Sequence, residues 1–139
     1  MRKLIVLYDG ECGFCSVILA VLLRWDRAHR LSPVTIQSPR GQQLLRAVPH
    51  EERLRSWHLV DAEGTLHSGG AGIPVVFDAL PRGAPVVLIA SRFPAATARG
   101  YEWVAGHREL LGRLLKARPR AWAGRVIAER SDEGPNSGA

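Results

Sequence analysis

The sequence predicts an α/β domain of strand–helix–strand–helix–strand–strand–helix order, with further helices appended at its C-terminal end. Three observations point there. A short aliphatic strand, Leu4 to Tyr8, is broken by Asp9-Gly10; a C-x-x-C pair, Cys12 and Cys15, follows at the start of a helical segment; and a hairpin signal centres on Ala62-Glu63-Gly64. The 139 residues suit one domain with one core, expected over 1–130, and the 46% apolar and 23% charged content is that of a globular chain. Residues 131–139 are polar with Gly and Pro, and are expected to form a disordered tail.

Taken in order, Leu4-Ile-Val-Leu-Tyr8 reads as a buried strand ended by a turn. From Cys12 to about Ala28 apolar residues at 14, 18, 21, 22 and 25 recur at helical spacing, with Arg24, Asp26 and Arg27 at the far end, so the last turn is expected in solvent. Ser32-Pro33 leads into a second strand at Val34 to Gln37, and Ser38-Pro39 has the form of a cap and first turn for a short helix over Arg40 to Val48. Trp57 to Asp61 and Thr65 to His67 form the hairpin. Gly69, Gly70 and Gly72 give a flexible link to a helix from Pro74 to Leu80. Val86 to Ala90 fits either a buried helix or a strand. Glu102 to about Ala117 reads as one helix with Leu110, Leu111, Leu114 and Leu115 on one side, and Pro119 opens another that runs to Arg130. Trp25, Trp57, Trp103 and Trp122 are all read as packing residues.

A dithiol where the first strand meets the first helix makes this order the thioredoxin-like arrangement, for which C-x-x-C beside a β-α-β pattern is the sequence cue. The attacking species in thiol chemistry is the thiolate, and unpaired N–H groups and the macrodipole at a helix N-terminus favour negative charge. Cys12 sits at that end and is expected to be the more exposed nucleophile. Cys15 lies almost one turn on, so its sulfur can approach that of Cys12 and resolve a mixed disulfide. Asp9 has two readings of equal weight. It either supports the site, as a cap or as proton acceptor for Cys15, or merely ends the strand.

The net charge of +6 comes from 19 basic and 13 acidic residues, and only Lys3 and Lys116 among the basic ones are lysine. Arginines spread from Arg2 to Arg130 without clustering on one stretch, so nucleic acid is not an expected partner. The opening apolar run is too short for an export signal, and the longest stretch without a polar residue, Val17 to Leu23, is far below the ~20 residues that span a bilayer. The expected address is cytoplasmic, where thiols are kept reduced and a lone cysteine pair is not a structural staple.

Rival readings exist. A zinc or iron–sulfur site shares the C-x-x-C motif, but two cysteines fall short of four ligands, and the five histidines show no paired spacing, although His58 and His67 could face each other across the hairpin. No metal and no cofactor are therefore expected. The stretch from Glu102 to Arg130 sets arginines and Lys116 beside Leu, Trp122, Val126 and Ile127, a pattern open to a membrane- or partner-binding helix, but an ordinary helix with core and solvated faces is the favoured reading.

The run Tyr8-Asp-Gly-Glu-Cys-Gly-Phe-Cys15 closely resembles the D-x-x-C-x-x-C signature of the DCC family of thiol-disulfide oxidoreductases, with Asp9, Cys12 and Cys15 in the named positions. The likeness continues through Arg24 to Arg27, Ile36 to Pro39, His58 to Ala62 and Ala79 to Pro81. It extends to the tyrosine-tryptophan-arginine helix of Tyr101 to Arg108, over roughly the first 115 residues. The resemblance implies a thioredoxin-like fold, a redox role, and protein or small-molecule thiols and disulfides as partners. Thioredoxins place a proline just before the third strand; here Arg55-Ser56 precede Trp57, and the nearest proline behind them is Pro49.

Overall fold

The computed structural model describes residues 3–115 and 117–132. Four strands form one sheet: β1 (Leu4–Tyr8), β2 (Leu31–Thr35), β3 (His58–Val60) and β4 (Leu66–Ser68), in the order β2-β1-β3-β4. β1 and β2 are parallel, and β3 and β4 complete the sheet antiparallel to their neighbours. Seven α-helices are found among the described residues: α1 (Gly13–Trp25), α2 (Pro39–Leu44), α3 (Gly72–Ala79), α4 (Ala84–Arg92), α5 (Pro94–Gly106), α6 (Arg108–Leu114) and α7 (Ala117–Asp132). None is long and apolar enough to cross a membrane.

Alternation along β1 sends Leu4, Val6 and Tyr8 into a core shared with α1, α3 and α7, while Leu7 joins Val34, Ile36 and Leu45 on the other face. β2 begins at Leu31, earlier than its aliphatic residues suggest, because the Asp26 carboxylate accepts from the N–H groups of Arg30 (3.0 Å) and Leu31 (2.8 Å) and fixes the chain there. Pro33 then lies within the strand opposite Val6, which is tolerated because β2 is an edge.

The buried face of α1 is not the one its spacing picks out. Leu19, Ala20, Leu22 and Leu23 are buried, whereas Ile18 and Val21 are 44% and 49% exposed. An apolar run from Val17 to Leu23 offers every face to a core, so its neighbours decide. α7 lies alongside α1 in the same direction, with Arg120 against Gly13 at one end and Arg130 bonded to Leu23 and Asp26 at the other. One side of the last turn of α1 is thereby covered: Arg24 and Arg27 are exposed as expected, but Asp26 is fully buried in an ion pair with Arg130.

The C-terminal region also differs in detail. The single helix expected from Glu102 breaks at His107, giving α5 and α6, and Leu110 and Leu114 are exposed. Trp103 is exposed as well and stacks on His107 at 4.4 Å. Val86 to Ala90 is helical, within α4. The link at 69–71 is a 3-10 turn. α7 carries Ala123, Val126 and Ile127 into the core and runs on to Asp132, so Ser131 and Asp132 are helical; 133–139, the rest of the expected tail, lie outside the described residues.

Candidate functional site

β1 delivers Asp9, Gly10 and Glu11 to a tight loop at its C-terminal end, and the loop feeds directly into α1. The Cys12 N–H donates to the Asp9 carbonyl (3.2 Å) and the Glu11 N–H to Asp9 Oδ1 (3.0 Å), so Asp9 shapes the turn that aims Cys12. Gln37 braces the same loop with both ends of its amide. Its Nε2 donates to Asp9 Oδ1 (2.6 Å) and its Oε1 accepts from the Gly10 N–H (3.1 Å).

The residue that caps α1 is Cys12 itself and not Asp9. Its Sγ accepts a hydrogen bond from the Cys15 N–H at 3.3 Å, in the position where Ser, Thr or Asp usually sits. Both cysteines are free and half-buried, so neither stands out as clearly more exposed. Burial pushes the Cys15 thiol up to about 12; its hydrogen bond with Cys12 and the Cys12 charge act in the same direction. The Arg108 guanidinium, through its charge and a hydrogen bond, opposes all three.

Arg108 opens α6 and reaches back to the loop. Its Nη2 donates to the Leu54 carbonyl at 2.5 Å and stands 3.7 Å from Asp9 Oδ2. Tyr101, two turns earlier on α5, completes this side. Its hydroxyl accepts from the Trp57 N–H at 2.9 Å, and its ring stacks on Trp57 at 6.0 Å. Burial raises the phenol to about 12; the Trp57 hydrogen bond pulls it down, the Cys15 charge adds to the rise and the Arg108 charge opposes it. The Trp57 carbonyl accepts from the Gly69 N–H (3.2 Å) and its indole donates to the Gly69 carbonyl (2.8 Å). The segment that leads into β3 is therefore fastened to α5 and to the 3-10 turn.

The opposite flank comes from α7. The Arg120 guanidinium lies against Gly13 and donates to the carbonyl of Gly112. This bridges α6 and α7 directly over the first turn of α1.

The two hairpin histidines do not face each other. In the register of β3 and β4, His58 is opposite Ser68 and Leu59 is opposite His67, which puts the imidazoles on different faces. His58 is buried and satisfied: Nε2–H donates to the Arg53 carbonyl (2.9 Å), and Nδ1 accepts from the Ser68 hydroxyl (2.7 Å). His67 pairs with Asp61 at 2.9 Å. Among the described residues no three His, Cys, Asp or Glu side chains gather at one point.

Asp9, Cys12 and Cys15 thus come together, joined by Gln37, Tyr101, Arg108 and Arg120. The family model of the DCC1-like thiol-disulfide oxidoreductases matches residues 6–114, a span that holds the first six of these seven. The chain belongs to that family. Among curated proteins and among solved structures, none matches the chain. As a DCC1-like protein it carries one site residue, Arg120, beyond the matched span, on the helix that covers α1. Nothing in the sequence distinguishes that arginine from its neighbours, because its role depends on how α7 docks. Gln37, Tyr101 and Arg108 do lie in stretches that resemble the family, which is the only signal by which the sequence marks them.

Proposed function

We propose that this protein is a thiol-disulfide oxidoreductase on a thioredoxin-like scaffold, with Cys12 as nucleophile, Cys15 as resolving thiol and Asp9 as a positioning residue. The observation that carries the reading is the Cys12 sulfur capping α1 three residues before Cys15, within a family of thiol-disulfide oxidoreductases. At the N-terminus of a 13-residue helix, unpaired N–H groups and the macrodipole both favour sulfur that carries negative charge.

In this scheme the Cys12 thiolate attacks one sulfur of a substrate disulfide. A Cys12–substrate disulfide forms and the first substrate thiolate leaves, taking a proton from solvent. Cys15 then loses its proton and attacks Cys12 Sγ, which releases the second substrate thiol and leaves a Cys12–Cys15 disulfide. Two electrons pass from the dithiol to the substrate, and a cellular thiol restores the reduced protein. Once Cys12 is in the mixed disulfide its negative charge is gone, and with it one of the influences that hold Cys15 protonated; Arg108 remains as the nearby cation. The expected setting is a reducing compartment such as the cytoplasm.

The test is chemical trapping. Cys15→Ser should accumulate a mixed disulfide with an added disulfide, seen as a mass increase at Cys12, while Cys12→Ser should accumulate none. If the wild-type dithiol stays reduced across glutathione buffers of graded potential, the redox reading is wrong.

A further inference from the structure

A cavity of about 780 Å³ reaches the dithiol through two of its lining side chains, Tyr101 and Arg108, with neither cysteine in its own wall. It is bounded by Arg55 and Ser56 on the approach to β3, by the 3-10 turn at Gly69–Ala71, and by α5 with the start of α6. Arg108 is the cation that acts on Cys15 and also stands at Asp9, and the Tyr101 phenol feels the Cys15 charge. The sheet register places cavity and dithiol at one edge: Leu7, just before the Cys12 loop, pairs with His58, and His58 pairs with Ser68, another cavity residue. In open α/β sheets this edge, beyond the C-terminal ends of the parallel strands, is where ligands bind.

We propose that this cavity is the substrate site, and that it takes a small amino-acid-type disulfide bearing both carboxylate and ammonium groups. The inference rests on the thiol-disulfide reading and names its substrate class. Three observations carry it. The volume falls within the ~300–1,000 Å³ of small-molecule sites. The lining has both signs of charge: Arg55 on one side, Glu102 and Glu109 on the other, none with an ion-pair partner among the described residues, and Arg108 at the dithiol end. Finally, the main chain at Trp57, which leads into β3 behind the cavity wall, is already engaged. Its N–H is bonded to Tyr101 and its carbonyl to Gly69. A polypeptide that paired with this segment would have to break those bonds, whereas a small zwitterion needs only the side chains of the cavity.

The geometry assigns Arg55 to the carboxylate and Glu102 with Glu109 to the ammonium, while the disulfide lies toward Arg108. The full chain, pre-reduced, would be mixed in single-turnover experiments with four disulfides: cystine, 3,3′-dithiodipropionate, cystamine and bis(2-hydroxyethyl) disulfide. These carry both charges, carboxylate only, ammonium only and neither. The oxidation rate of the dithiol should saturate with cystine at a concentration at least tenfold below that needed for the uncharged probe. Arg55→Gln should raise the half-saturating concentration at least tenfold for the two carboxylate probes, and Glu102→Gln/Glu109→Gln should do so for the two ammonium probes. If all four disulfides show the same concentration dependence, or if each variant shifts every probe alike, the cavity is not the substrate site, and the redox function stands without it. Failure of all four to oxidise the wild-type dithiol would instead sink the redox reading itself.

Discussion

The guanidinium of Arg120 occupies the space that a side chain at Gly13 would need: an ideal Cβ there would sit 2.8 Å from Nε and 3.2 Å from Cζ. Glycine between the cysteines thus leaves room for a side chain from a helix more than 100 residues later. Gly13→Ala should push Arg120 aside and loosen its bond to Gly112, at a cost of about 1 kcal/mol. In an Arg120→Ala background the same change should cost nothing, since Ala is the better helix former. Urea denaturation of the four proteins in this double-mutant cycle measures the coupling; additive effects would show that the two residues are independent.

Burial, the largest cause of the rise of the Cys15 thiol to about 12, persists when Cys12 is in the mixed disulfide, so only a small fraction is thiolate at neutral pH. Below its pKa the thiolate fraction rises tenfold per pH unit, so the resolving step should accelerate by up to that factor for each unit between pH 6 and 9. Quenched-flow measurement of the decay of the Cys12 mixed disulfide tests this. A flat profile would mean that Cys15 is already ionised when it attacks.

Arg108 is the cation that opposes this rise, and it also stands at Asp9. Arg108→Leu should slow resolution by about tenfold or more, since a nearby opposite charge is worth ~1–3 pKa units. Arg108→Lys should recover part of the loss and shift the pH profile back toward wild type. Equal slowing of the first attack and of resolution would point to a general loss of structure instead.

Burial holds His58 below the ordinary histidine range, while its bond to the Arg53 carbonyl acts weakly the other way. In the unfolded chain the imidazole takes up a proton near pH 6.5, but in the folded chain only at lower pH. Its stabilising contribution is therefore complete above about pH 6.5 and is lost as pH falls toward the folded value, with a slope of at most about 1.4 kcal/mol per pH unit. Urea midpoints at pH 7.5, 6.0 and 5.0 should fall more steeply for wild type than for His58→Gln.

The buried Asp26 carboxylate accepts from Arg130 and from two backbone N–H groups, and Arg130 also donates to the Leu23 and Leu31 carbonyls. Arg130→Leu leaves that carboxylate without its cation in a dry site. The expected loss is about 3–5 kcal/mol, read as a lowered urea midpoint. A loss below 1 kcal/mol would show that α7 docks without this pair.

Much of the candidate site is local in sequence and therefore legible there. The strand Leu4–Tyr8, the break at Asp9-Gly10 and the cysteine spacing together put two sulfurs at a helix start, because each feature depends on residues within one or two turns. The hairpin around Gly64, whose φ is +84°, was equally legible from its turn residues. Periodicity failed where a segment is apolar on every side, as in α1, and where a side chain bonds back to its own helix at a break, as His107 does to the Trp103 carbonyl.

The sequence by itself determined the dithiol, the order of strands and helices around it, and Asp9 as part of the same turn. Tertiary structure alone decided which cation stands by Cys15 and which side chain packs against Gly13. Arg108 and Arg120 lie about a hundred residues from the cysteines and act through helices α6 and α7. The approach of Arg120 to α1 is fixed by long-range burial of Ala123, Val126 and Ile127 and by the Asp26–Arg130 pair, which no local pattern encodes.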